Sequence, residues 1–276
     1  MTNEIIRRLV SAFNKNKIDT QKNASALHHS DLKLAKEIQQ QFIPKHPIAI
    51  NNYKISSLYL PSNQLSGDFF DYVDLGDNKI GVLVIDVIGK GIKASFTTIL
   101  IKAIFQQVIT LKNPRTPKDM MMELNKELYR QISLNTKGGY GFYGVLDTKK
   151  NTLSYCHCGI GVASLYRGMN KIELEKYGGV GIGIIENTQY TEGIIELSKN
   201  DIIFISTDGI GDAKDKAGNR FGVNWFDSII TTHRKGSVEK PLIDQIEYQI
   251  KRKTGYKNYF EDDIACVFIE FYPLYG

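Results

Sequence analysis

Three apolar runs in this chain meet an aspartate at one end, and that pattern constrains the fold more than any other feature. IGVLVI (Ile80–Ile85) stops at Asp86, IIFIS (Ile202–Ser206) leads through Thr207 to Asp208, and Asp262 opens the approach to IACVFIEF (Ile264–Phe271). A fourth acid, Asp68, follows a glycine in the stretch QLSGDFFDYVDLGDNKIGVLVIDVIGKGI (Gln64–Ile92). A carboxylate at the end of a buried strand carries a desolvation cost unless its charge is compensated. Brought together, four would repel one another, and hard divalent cations held by oxygen ligands are the simplest remedy. Any one of these acids alone would more often be a turn former or a helix cap. Their repetition on separate strands predicts a hydrolytic site centred on metal ions. Such cations acidify a water and polarise a phosphoryl oxygen, so the chemistry needs no enzyme nucleophile. None is evident, and no cysteine begins a Cys-x5-Arg phosphate loop.

At 276 residues the chain has room for one good core and a small appendage. The net charge of +5 is mild and spread along the sequence, with Lys251-Arg252-Lys253 its only compact cluster. No nucleic-acid partner is therefore expected. Three cysteines argue against a disulfide framework and fit a reducing cytoplasm. The N-terminus, MTNEIIRRLVSAF, lacks a secretory apolar core, and each long apolar run is interrupted by a charge. The expectation is a cytoplasmic protein with no membrane partner.

Ile5, Leu9 and Phe13, flanked by Ile6 and Val10, form an amphipathic stripe, and residues 14–26 are polar. A second helical pattern runs from about Leu27 through Leu34, Ile38 and Phe42 and must end before Pro44. Residues 1–44 are thus read as an N-terminal helical segment that docks on the main domain or pairs with a second copy, and residues 45–276 as the main domain. There, strands are expected at Lys54–Leu60 and Lys79–Ile85 with a turn at Leu75–Asn78 between them. Ile92–Thr110 reads as a helix with Ile92, Phe96, Ile99, Ala103 and Ile104 on its apolar face. Pro117 starts another helix, buried through Met121, Leu124, Leu128 and Ile132. Strands follow at Tyr140–Leu146, Thr152–Cys156, Val162–Tyr166, Lys171–Leu174, Thr191–Leu197 and Asp201–Ser206. The glycines at 178, 179, 181 and 183 mark a loop needing close backbone approach or positive φ. Helices at Val223–His233 and Pro241–Lys253 precede the last strand. Hairpin-linked strands with helices in separate blocks predict an α+β fold, two antiparallel sheets face to face with helices outside.

Gly89-Lys90-Gly91 lacks the spacing of a nucleotide P-loop, although the helix after it could point its N-terminus at an anion. Cys156-His157-Cys158 suggests zinc, but on a strand the cysteines face one way and the histidine the other, so core packing is the better reading. His28-His29 reads as exposed helix surface.

Four segments, SGDFFD (Ser66–Asp71), DVIGKGIKAS (Asp86–Ser95), STDGIGDA (Ser206–Ala213) and DDIACVFI (Asp262–Ile269), together resemble the successive motifs of the SpoIIE-like phosphatases. These are the bacterial branch of the PPM-class, metal-dependent Ser/Thr protein phosphatases. AKEIQQQFIP (Ala35–Pro44) resembles the linker helix that precedes their catalytic domain, so the likeness covers roughly residues 35 to 271 in order. The resemblance implies an α-β-β-α sandwich with two Mn2+ or Mg2+ ions at one end. It assigns metal binding and catalysis to Asp68, Asp86, Asp208 and Asp262, with a carbonyl ligand from Val87 and Asp86 bridging the ions. It also implies a partner-switching pathway, whose phosphorylated substrate is a STAS-domain protein that antagonises an anti-sigma factor. Members usually carry a sensory domain upstream; none fits in 44 residues, so the signal is expected through the N-terminal helices or a partner. Ser66, Ile88, Lys93, Ile160, Gly211-Asp212 and Ala265 depart from the usual motif neighbours, and none is an expected ligand. The chain is thus expected to be a metal-dependent Ser/Thr phosphoprotein phosphatase, with its N-terminal helices as the candidate homodimer contact. The rival readings are a partner-binding signalling module without turnover and, more weakly, a small-molecule phosphohydrolase.

Overall fold

The computed structural model describes residues 30–112, 114, 116–131, 138–174, 180–222, 224–234, 241–254 and 261–272. The chain divides into two units between Gln41 and Phe42. In the first, residues 30–41 form helix α1, which stops short of Pro44 as the residue before a proline disfavours helix. Leu34 and Ile38 of its expected apolar stripe are exposed. The stripe from Ile5 to Phe13, the polar stretch 14–26, Leu27 and His28-His29 lie outside the described residues.

The second unit is a sandwich of two antiparallel sheets. One orders its strands β1 (Ile48–Ile50), β2 (Tyr53–Leu60), β11 (Ile264–Phe271), β10 (Ile202–Ser206), β7 (Val162–Arg167) and β8 (Asn170–Glu173). The other runs β3 (Asp68–Gly76), β4 (Lys79–Val87), β5 (Gly139–Asp147), β6 (Thr152–Cys158) and β9 (Gly193–Glu196). Helices α2 (Gly91–Lys112) and α3 (Pro117–Gln131) cover the outer face of the five-stranded sheet, where Phe105 meets Tyr143 edge-on. The short α4 (Gly209–Asp212) follows β10. On the other outer face, α5 (Trp225–Arg234) and α6 (Leu242–Thr254) close a second core in which Phe204 lies between Phe226 and Phe268. The α+β sandwich expected from the sequence is the fold observed.

Both faces of β4 are covered, which is why its run reads as continuous rather than alternating apolar residues. The β3–β4 hairpin turns through Asp77 and Asn78, both at positive φ, as a two-residue turn between twisted strands requires.

Several boundaries differ from the sequence reading. β3 was not expected, because Asp71 and Asp74 interrupt its apolar pattern. β4 runs on through Asp86 to Val87 instead of stopping at the acid, and β10 ends at Ser206, two residues before Asp208. β1 and α4 were also unforeseen. The buried face of α2 is Ala94, Thr98, Ile101, Lys102, Ile104, Phe105 and Val108; Ile104 is buried as expected, whereas Ile92, Phe96 and Ala103 are exposed. Apolar residues surround this helix, so periodicity does not fix its orientation. For the same reason α2 is long and apolar enough to cross a membrane by length and composition, which reading the runs singly did not reveal; half of it is buried within the protein.

Candidate metal centre

The β3–β4 register sets Asp68 directly opposite Asp86. Residues paired across two antiparallel strands project from the same face. That face meets the six-stranded sheet: Thr207, just past β10, donates its hydroxyl to Asp68 Oδ2 at 2.6 Å. In the six-stranded sheet β10 pairs with β11, Ser206 opposite Cys266, so Asp208 and Asp262 emerge side by side at the same end. Gly209 is needed there, since a Cβ on it would lie 1.9 Å from the Asp263 carbonyl. All four expected acids are thereby brought to one rim of the sandwich, two from each sheet. Asp68 is buried, Asp86 and Asp262 are half-buried, and Asp208 is exposed, so the cluster opens to solvent on the Asp208 side.

The electrostatics match this crowding. Burial, then the Asp86 charge, holds the Asp68 carboxyl well above the usual carboxylate range, partly offset by the Thr207 hydrogen bond. Burial and the charges of Asp208, Asp262 and Asp263 push Asp86 up to about 7, against the pull of Lys90. Asp208 is also raised, by burial and then by Asp262. A cluster of hard oxygen donors that raise one another's pKa fits Mg2+ or Mn2+. Among the described residues, however, no three His, Cys, Asp or Glu side chains already converge as a ready-made ion cage. Two of the acids face other partners: Asp68 binds Thr207, and Asp262 Oδ2 lies 2.9 Å from Lys90 Nζ. The Val87 carbonyl lies beside Gly67, where a Cβ would approach it to 3.3 Å, so it borders the Asp68 backbone.

Two contributors escaped the sequence reading. Asp263 accepts hydrogen bonds from Ser62 N at 2.7 Å, Ser62 Oγ at 2.8 Å and Gly67 N at 2.8 Å, pinning the loop that delivers Asp68. Thr207 is the other. The Ser-Thr-Asp-Gly and Asp-Asp runs were visible, but nothing local says which neighbour binds a metal and which binds the protein. Gly89 and Gly91 have φ of +120° and +71°, and α2 begins at Gly91, so its N-terminus follows directly from the acid-bearing segment. Cys156 and Cys158 are packed in the main core with sulfurs 3.5 Å apart, and His157 meets Phe142 edge-on.

A model of the Stage II sporulation protein E (SpoIIE) family matches residues 76–272. The chain is 24% identical over 185 residues to phosphoserine phosphatase RsbP of Bacillus subtilis, covering 66% of this chain and 45% of that protein. It is 24% identical over 194 residues to phosphoserine phosphatase RsbU of the same organism, covering 68% of this chain and 56% of that protein. It therefore spans about half the length of these relatives. Among solved structures, the SiaA-PP2C domain of Pseudomonas aeruginosa superposes with a TM-score of 0.74 at 21% identity, over 90% of this chain and 98% of that one. That likeness is one of fold. The extent of the family match, together with the sandwich and the rim of acids, places the chain in the SpoIIE family, the SpoIIE-like branch of the PPM-class phosphatases.

Proposed function

We propose that the chain is a metal-dependent phosphatase acting on phosphoserine or phosphothreonine in a protein substrate. The observation that carries this reading is the gathering of Asp68, Asp86, Asp208 and Asp262 at one rim, where burial and neighbouring carboxylates raise the pKa of Asp68, Asp86 and Asp208. These carboxylates, with the Val87 carbonyl, would hold two Mn2+ or Mg2+ ions. When bound, such ions supply an acidified water and a Lewis acid for the phosphoryl oxygens. The chain's own part is positional. Thr207 orients Asp68, Asp263 fixes the loop before it, and the exposed mouth at Asp208 admits a phosphorylated side chain. Lys90 supplies a cation at the rim that favours an incoming phosphate.

The printed names of RsbP and RsbU support a phosphoserine substrate. The substrate proposed is a phosphorylated STAS-domain protein in a cytoplasmic partner-switching pathway, with residues 1–44 as the input segment and 45–276 as the phosphatase. Pairing of two copies through the N-terminal helices is part of this proposal; a light-scattering mass of a monomer, unchanged by deleting residues 1–30, would count against it. The test of function is hydrolysis of an aryl phosphate and of the phosphorylated STAS protein, with and without Mn2+. Chelation and Asp86→Asn are each expected to abolish turnover, by analogy with loss of an essential ligand, and activity insensitive to both sinks the mechanism. The engagement of Asp262 by Lys90 favours a second reading, a module that binds its partner with little turnover. Metal binding and tight partner binding with no hydrolysis would select it.

A further inference from the structure

The glycine-rich segment between β8 and β9 has no place in the acid cluster, yet it is bound tightly on two sides. On one side stands Asn125 of α3, a buried carboxamide 1% exposed. Its Oδ1 accepts from Gly183 N at 2.7 Å, and its Nδ2 donates to Ile185 O at 2.9 Å and Glu186 O at 2.8 Å. On the other side, Gly139 N donates to Ile182 O at 2.9 Å. A Cβ on Gly138 would lie 1.8 Å from Ile182 O, and one on Gly181 2.2 Å from Gly139 O, so these backbones touch with no side chain between them. Gly139 pairs with Val87 across β4 and β5, and a Cβ on it would lie 2.4 Å from Asp86 O. Ile88 N donates to Gly138 O at 3.0 Å. A continuous set of backbone contacts thus leads from Asn125 to the segment carrying Asp86 and the Val87 carbonyl.

We propose that Asn125 is a positioning residue: it fixes loop 182–186 and, through the glycine contacts, the Asp86–Ile88 backbone that faces the cations. The proposal rests on the metal-site reading above. A carboxamide suits the role because it offers an acceptor and two donors at once; aspartate offers acceptors only and leucine neither. Gly183 has φ +72°, a conformation that other residues rarely adopt, so the loop presents its N–H to Asn125 in a shape only glycine takes easily. A residue that orients a metal ligand without touching the metal typically changes affinity by about 10–100-fold when lost.

The test is Asn125→Asp, which keeps an acceptor for Gly183 and removes both donors. In chelated protein, amide hydrogen exchange at Gly139 and Ile88 should accelerate. In calorimetry, Mn2+ should bind about tenfold more weakly or worse. Excess Mn2+ should restore kcat more fully than a lost catalytic group would allow. Gly181→Ala disturbs the same contact from the loop side and should give the same signature, which keeps the test open if Asn125→Asp does not fold. Arg167→Ala breaks the Arg167–Asp201 pair at the opposite end of the six-stranded sheet. It should lower the melting temperature while leaving Mn2+ affinity and these two amides unchanged. Unchanged exchange in both loop variants overturns the proposal, as does faster exchange with wild-type Mn2+ affinity or an equal affinity loss in Arg167→Ala. A wild type that binds no Mn2+ overturns the metal reading itself, and the exchange data on chelated protein distinguish that failure from failure of the relay.

Discussion

Asp262 and Lys90 form the one contact in the acid cluster, among the described residues, where a carboxylate already meets an ammonium. Lys90 stands between two glycines at positive φ, its side chain is 55% exposed, and its ammonium also donates to the Glu261 carbonyl at 2.7 Å. A divalent ion seeking Asp262 must displace it. Lys90→Met is therefore expected to tighten Mn2+ binding in calorimetry, and exposure limits the gain: such pairs are worth about 0.2–1 kcal/mol, or at most about fivefold. Weaker Mn2+ binding in Lys90→Met would show that the lysine assists the site instead. At the far end of the molecule, burial lowers the His233 pKa from its ordinary 6.5, against Glu270, whose carboxylate is 3.9 Å away and pulls it up; Arg234 and Lys54 add to the lowering. The fold thus favours neutral imidazole. Its contribution to stability is complete above pH 6.5 and is lost as the pH falls through the lowered value. Between about pH 7.5 and about pH 5.5, a unit either side of the ordinary imidazole value, the urea midpoint of wild type should drop more than that of His233→Gln. Parallel curves would refute the assignment.

Among the elements, β3 shows what the sequence could and could not reveal. Asp68 was legible because it lies in a compact motif, but the strand it opens was not, since Asp71 looks like a loop residue. Asp71 is buried because Lys102, 31 positions later on α2, reaches it through the sheet face. Burial still raises the Asp71 pKa despite that ammonium, which marks the pair as expensive in isolation. Removing one partner of such a buried pair typically costs about 3–5 kcal/mol, whereas replacing both with neutral groups is often nearly neutral. Lys102→Met should accordingly destabilise chelated protein by about 3 kcal/mol in denaturant unfolding, and adding Asp71→Asn should recover most of it. An additive loss would mean the two side chains act separately. The same pair helps explain why the apolar face expected for α2 does not coincide with its buried one: Lys102, absent from that expected face, is drawn inward by a distant acid.

Over the whole molecule, the fold class and most of the strands came through because turns and apolar alternation are local signals, while β1 and β3 did not. The order of strands did not, since it depends on which edges meet. Thr207 and Asp263 were hidden for a related reason: their partners are Asp68, 139 positions away, and Gly67, 196 positions away. Repulsion among the acids should make the chelated protein less stable than the loaded one. Saturating Mn2+ is expected to raise the melting temperature, by about 2.7 kcal/mol of stabilisation at a hundredfold excess over Kd. No shift, or an equal shift in Asp86→Asn, would contradict this. Asp68 and Asp86 come from one sheet, Asp208 and Asp262 from the other, and among the described residues no strand of either sheet pairs with a strand of the other. Ions at that rim would act as rivets between layers otherwise joined by side-chain packing and a few hydrogen bonds such as Thr207 to Asp68. A slip of one residue, about 3.3 Å along a strand, would leave each layer whole and shear the fastening apart.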